Sequence, residues 1–214
     1  MPTTTIIFDY GCVISLAPSL DDYAPLRQAL GVEPATFQEL YWRNREVYDV
    51  DGLDTLAYWL DLGRTAGVEF SPAKVQALAD LDNHLWGRTN PVMLEWVRVL
   101  HERGLKAAIL SNMSRGVGDY LRRTADWLGL FDHLCFSGEL KTGKPGPAIY
   151  HACLKGVAEP AAHTLFIDDR EVNIAAGHAL GMPGIVFHSV EQLQNDLKPY
   201  GLAESLAEAQ ARSR

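Results

Sequence analysis

The chain has 214 residues, 47% of them apolar and 21% charged, with a formal net charge of −8. That balance excludes a largely disordered chain and leaves room for one or two domains with a full core. With 19 basic against 27 acidic residues and no Lys/Arg block, no nucleic-acid partner is expected, because phosphate backbones need a clustered positive surface.

The N-terminal MPTTTIIFDYG lacks a basic leader and a long apolar stretch, so it does not read as a signal peptide. No window approaches the roughly 18 apolar residues of a membrane span, so no membrane partner is expected. Cys12, Cys135 and Cys153 lie in or beside apolar runs at irregular spacing, which reads as reduced, buried thiols of a cytoplasmic protein.

In chain order, Thr5–Phe8 is a short apolar run without period-two alternation, the pattern of a strand covered on both faces. Residues 17–89 then offer helical patterns at 21–30, 34–48, 53–66 and 71–86, the last opened by Ser71-Pro72. Roughly 70 residues exceed an ordinary crossover, so this stretch reads as a second, inserted helical domain. Strand-like runs return at 107–110, 134–136, 164–167 and 184–187. Helices fall between them: one from Asn90-Pro91 to Gly104, one capped by Ser114 and ending near Gly129, one opened by Gly146-Pro147, and one with capping-box spacing at Ser189. The alternation predicts an α/β fold with a doubly wound, mainly parallel sheet built from 1–16 and 90–214. The Ala/Glu-rich tail after Gly201 reads as a fraying helix.

The polar residues fall where such a sheet binds ligands. Four strand-like runs end in Asp9, Ser111, Ser137 and Asp168-Asp169, and open parallel sheets bind ligands beyond the carboxyl ends of their strands. Lys144, on the loop after the third run, can reach the same edge. Three carboxylates in one pocket repel unless one is protonated or a cation sits among them. The charged ligands are all oxygens, so the expected cation is Mg²⁺ rather than Zn²⁺. A metal, a lysine and the amides after Ser111 suit a doubly charged oxyanion, most naturally phosphate.

Asp9-Tyr10-Gly11-Cys12-Val13, Ser111-Asn112, Lys144-Pro145 and Asp168-Asp169 with Asn173 resemble, in order, the four motifs of the haloacid dehalogenase-like hydrolase superfamily. The resemblance spans nearly the whole chain, and 17–89 is similar to that family's helical cap beside its Rossmann-like core. It is strongest to the branch of capped phosphatases that includes bacterial glucose-1-phosphate phosphatase and the N-terminal domain of soluble epoxide hydrolase. The resemblance implies that Asp9 attacks phosphorus and becomes an aspartyl-phosphate. It implies that Ser111 and Asn112 hold phosphoryl oxygens and that Lys144 neutralises charge. Asp9, Asp168, Asp169 and the carbonyl of Gly11 would hold Mg²⁺, while Asn173 orients the acidic loop. The implied partner is a small phosphorylated metabolite, possibly a sugar phosphate, and the chain would act as a monomer or homodimer.

One departure matters. Active phosphatases of the family usually carry an aspartate, as general acid and base, where this chain has Gly11. Such help is worth about 10²–10⁴-fold, or roughly 3–5 kcal/mol. The glucose-1-phosphate phosphatase branch resembles this chain in having glycine there. Two rival readings follow. A 2-haloacid dehalogenase would use Asp9 on carbon without metal, but that resemblance calls for Asp-x-Tyr-Gly-Thr, and Tyr10 stands one position early. A non-catalytic or weakly active binder is supported by Gly11 and opposed by Asp9, Lys144 and Asp169.

Weaker signals are read as follows. Residues 138–144 fit a phosphate-loop spacing that Pro145 breaks, and Gly116-Val117-Gly118 reads as the first turn of a helix. In the segment 41–49, Trp42, Arg45 and Asp49 would share one helical face that could close over substrate, making Arg45 a candidate substrate-binding residue. Tyr58, Trp59, Trp86 and Trp96 read as core, and His101, His151 and His178 as surface or packing residues of helices.

Overall fold

The computed structural model describes residues 3–214. Five strands, β1 (Thr5–Phe8), β2 (Lys106–Ser111), β3 (His133–Phe136), β4 (Thr164–Asp168) and β5 (Gly184–Val186), form one parallel sheet in the order β3-β2-β1-β4-β5. The chain leaves β1 in one direction and β4 in the other, so β1 and β4 flank the switch point where such sheets open a crevice. Phe8 lies opposite Ile109 and Ile167, which brings Asp9, Ser111 and Asp168 to one edge.

The strands lack alternation because both faces are covered. Ile6, Phe8, Ile109, Leu165 and Ile167 face one core with Trp96 and Leu206. Ile7, Ala108, Leu110 and Phe166 face the other with Tyr150 and Ile174. Successive side chains thus feed opposite cores, and each face needs its own apolar set.

Helices α1 (Ala24–Leu30), α2 (Pro34–Arg43), α3 (Arg45–Asp49), α4 (Thr55–Ala66) and α5 (Pro72–Trp86) fill the stretch between β1 and β2, ahead of α6 (Pro91–Glu102). They bury a third, aromatic-rich core that includes Phe37, Tyr41, Tyr58, Trp59 and Leu78. The remaining helices are α7 (Arg115–Thr124), α8 (Ser137–Leu140), α9 (Pro147–Val157), α10 (Glu171–Ala179), α11 (Val190–Asp196) and α12 (Ala203–Arg212). Caps fall where the side chains dictate: Ser71 accepts from Lys74 N–H, Asn90 from Val92 N–H, and Ser189 with Gln192 completes a capping box. Among the described residues no helix is long and apolar enough to cross a membrane.

The structure differs from several of these expectations. The predicted helix over 34–48 is two helices, because Asn44 leaves helical geometry (φ −116°, ψ 14°) and its side-chain amide donates to Asp61. Trp42 therefore lies on α2, while Arg45 and Asp49 lie on α3. The helix after Ser114 stops at Thr124, where Ala125 leaves helical geometry (φ −109°, ψ 87°), and a tight 3₁₀ turn carries the chain to Leu130. The tail does not fray: Leu206 and Ala209 are fully buried, and Trp96 donates its indole N–H to Ser205 Oγ at 2.8 Å. Trp86 and Cys12 are only half-buried, for a reason that the site makes clear.

Candidate active site

The site begins with the end of β1. Asp9 N–H completes the sheet by donating to Ile167 carbonyl oxygen at 2.8 Å, so its side chain leaves at the switch point. Asp9 Oδ1 accepts from Tyr10 N–H at 2.6 Å and lies 2.9 Å from Lys144 Nζ. Lys144 Nζ also donates to Asp168 Oδ2 at 2.6 Å. All three side chains are almost wholly withdrawn from solvent. Asp168 is further held by Arg170 N–H and by Asn173 Nδ2. Asn173 thus holds the Asp168 carboxylate that opens the acidic loop, in keeping with the role the family resemblance implies.

Asp9, Asp168 and Asp169 each place a carboxylate oxygen within 4.8 Å of the others. Three carboxylates against one ammonium leave two formal negative charges in a buried place. The strain shows in the proton affinities. Burial pushes the Asp9 carboxyl up to about 7; Lys144 pulls it down, while Asp168 and Asp169 push it up. Asp169 is raised by burial and by Asp168. Burial disfavours the Lys144 ammonium, but Asp9 and Asp168 together hold it above the ordinary lysine range. Asn173 Oδ1, buried beside this cluster, has no hydrogen-bond donor. An all-oxygen set with excess negative charge and an orphaned acceptor fits a hard divalent cation such as Mg²⁺.

The other predicted residues converge on the same cavity of about 490 Å³, whose walls include Ser111, Asn112, Gly11 and Arg45. Ser111 Oγ has one long contact, 3.5 Å to the Asn112 carbonyl oxygen. Asn112 is engaged twice with Lys144: its Nδ2 donates to the lysine carbonyl oxygen, and its Oδ1 accepts from the lysine N–H, both at 2.8 Å. Arg45 is buried in the helical layer, with Nε on Asp49 Oδ1 at 2.9 Å and Nη1 on Asp82 Oδ2 at 3.0 Å. Ser137 follows the end of β3, as expected, and also opens α8. Its hydroxyl accepts from Met113 N–H and donates to the Asp49 carbonyl oxygen, tying the β2 loop to α3.

Sequence reasoning missed two features. Trp86, read as core, lines the cavity, and the nearest atom to a Cβ built on Gly11 is its ring, at 3.8 Å. Cys12 holds the left-handed backbone (φ 60°) that lets the turn fold under Asp9, so its half-buried side chain also faces the cavity. The phosphate-loop spacing at 138–144 has another use: Lys144 serves two carboxylates there.

Residues 29–181 match the haloacid dehalogenase-like hydrolase family, and the chain belongs to it. The match takes in Ser111, Lys144 and Asp168; Asp9 lies before it and joins them through the sheet register. The fold is also similar to that of a Bacteroides thetaiotaomicron enzyme of the family, crystallised with magnesium and inorganic phosphate. The TM-score is 0.68 at 16% identity, covering 87% of this chain and 94% of that one. L-2-haloacid dehalogenase from Xanthobacter autotrophicus gives 0.67 at 18% identity, covering 92% and 83%. Over 88 residues the chain is 32% identical to a drimenol cyclase from Aspergillus calidoustus, across 41% of this chain and 17% of that protein. The chain aligns with half or less of the length of the curated relatives it matches.

Proposed function

We propose that the protein is a Mg²⁺-dependent hydrolase of small phosphomonoesters, of the capped phosphatase branch, with the helical stretch 17–89 as its cap. The observation that carries this reading is the approach of Asp9, Asp168 and Asp169 to within 4.8 Å of one another, with Lys144 between two of them and Asp9 and Asp169 on the cavity wall. A bound Mg²⁺ would supply the positive charge that lets phosphoryl oxygens lie beside three carboxylates. Asp9, Asp168, Asp169 and the Gly11 carbonyl are the groups we assign to hold it.

The chain's own residues do the rest. Asp9 attacks phosphorus, forming an Asp Oδ–P bond as the P–O bond to the alcohol breaks. Lys144 and Tyr10 N–H fix Asp9 Oδ1, which holds the carboxylate plane for that attack. Ser111 Oγ and the Asn112 amide N–H receive the phosphoryl oxygens. Water then attacks phosphorus, the Asp–phosphate bond breaks, and inorganic phosphate leaves with Asp9 restored. Gly11 offers no proton, so the departing alkoxide takes its proton from water. Arg45, with two carboxylates already on its guanidinium, shapes the cavity wall beside the substrate.

The test is a panel of phosphorylated metabolites assayed with Mg²⁺ and with a chelator, beside Asp9→Asn. Phosphate release that needs both Mg²⁺ and Asp9 is expected. Release by Asp9→Asn at the parent rate, or halide release from 2-haloacids indifferent to the chelator, would overturn the proposal, the latter in favour of the dehalogenase reading.

A further inference from the structure

Beyond the phosphoryl site, the cavity is walled by two indoles from helix ends. Trp42 lies in the last turn of α2 and Trp86 closes α5, with ring centroids 6.4 Å apart and planes at 81°. Trp42 is 45% exposed and lines the cavity, so part of its ring is open to a ligand there. Met113 and Val117 continue the apolar lining, and the Trp86 ring reaches down to Gly11 beside the nucleophile.

Most of the polar groups on the inner wall that could recognise a polyol already have partners within the protein. Both indole N–H groups donate within the protein, Trp42 to Gln38 Oε1 and Trp86 to the Tyr41 hydroxyl, each at 3.0 Å. Arg43 is bound to Asp61 and Thr65. Arg45 and Asp49 hold each other, and Arg45 also holds Asp82. Glu46 and Arg170 stay at the solvent side, 4.0 Å apart, with 85% and 54% of their side chains exposed. What the inner wall chiefly has left to offer is ring surface and aliphatic surface, from Trp42, Trp86, Met113 and Val117.

We infer that this cavity selects phosphomonoesters whose alcohol part is apolar or aromatic over polyol esters, with Trp42 as a specificity-determining residue; this rests on the phosphatase reading. A sugar's hydroxyls would surrender water without gaining partners there, whereas an apolar body loses nothing and covers the exposed indole. A pocket of this kind discriminates by about tenfold or more per misplaced group.

The experiment compares esters of primary alcohols, so that the missing general acid weighs on both sides of the comparison. With Mg²⁺, 2-phenylethyl phosphate and hexyl phosphate are expected to exceed glucose 6-phosphate and glycerol phosphate in kcat/KM by at least about tenfold, chiefly through KM. Trp42→Ala should shrink that ratio by about tenfold, and Trp42→Phe should keep most of it. Equal or better turnover of the polyol esters, or a ratio unmoved by Trp42→Ala, overturns the inference while leaving the phosphatase reading intact. A second arm works without turnover: calorimetry with 2-phenylethylphosphonate and a hydroxylated phosphonate of similar size, each with Mg²⁺. Tighter binding of the phenyl compound supports the inference, and equal or weaker binding contradicts it. If neither phosphonate binds and no ester is hydrolysed, the phosphatase reading itself has failed.

Discussion

Asn112 and Lys144 grip each other through the lysine backbone: the asparagine amide donates to the Lys144 carbonyl oxygen and accepts from its N–H, both at 2.8 Å. One residue after β2 thus fixes the loop that carries the ammonium to Asp9 and Asp168. Asn112→Ala should leave two backbone groups unpaired at a cost of about 1–3 kcal/mol. The melting temperature should fall by about 2–4 °C per kcal/mol, and kcat should drop more than KM rises. Asn112→Asp should be worse, since it cannot donate to the carbonyl and adds a negative charge beside the acids. Wild-type kcat in both variants would dissociate the clasp from the placement of Lys144.

Lys144 is the cation among three acids, so its loss should be felt first as instability. Breaking a buried ion pair by removing one partner costs about 3–5 kcal/mol. Lys144→Met should be inactive and should unfold at lower urea. Mg²⁺ should then raise its melting temperature more than it raises that of the parent, because a ligand that binds only the folded state stabilises it in proportion to its affinity. The same Mg²⁺ shift in both proteins would show that the acids do not share one cation.

Much of this was legible in the residues because it depends on local rules. The five strands stand out as apolar runs buried on both faces, and the caps at Ser71, Asn90 and Ser189 follow from hydrogen bonding within one turn. The convergence of Asp9, Lys144 and Asp168 was readable because a parallel sheet collects its strand ends at one edge. What escaped depends on partners far along the chain. The break at Asn44 answers to Asp61, the Asn112 clasp to a loop 32 residues on, and the exposure of Trp86 to a cavity formed by two layers. The tail looked loose because Ala and Glu dominate it, yet Leu206 and Ala209 sit in the sheet core.

Gly11 is not required by the backbone. Its φ of −59° and ψ of 127° suit any residue, and a Cβ there would meet only the Trp86 ring at ordinary contact distance. Gly11→Asp should therefore fold and restore a proton donor beside the leaving group. Alkyl phosphate turnover should rise at least about tenfold, within the range of general acid catalysis, and p-nitrophenyl phosphate turnover should change far less. No gain on alkyl esters would show that another group already supplies the proton.

Arg45 anchors the helical layer. With Asp49 and Asp82 on its guanidinium and the Tyr41 hydroxyl beside it, Arg45→Ala should strand two buried carboxylates at about 3–5 kcal/mol. Hydrogen exchange should lose protection in α2 to α5 while β1 and β4 keep theirs. Unchanged protection in those helices, with only KM raised, would move Arg45 from the wall to the substrate.

The central claim is that Asp9 becomes the covalent carrier of phosphate. Rapid acid quench during turnover with Mg²⁺, followed by mass spectrometry of the peptide that contains Asp9, measures it directly. A phosphorylated Asp9 that forms within one turnover, decays on chase, and is missing in Asp9→Asn is the predicted result. Steady phosphate release with Asp9 never modified, or with the phosphoryl group on another side chain, would contradict the account.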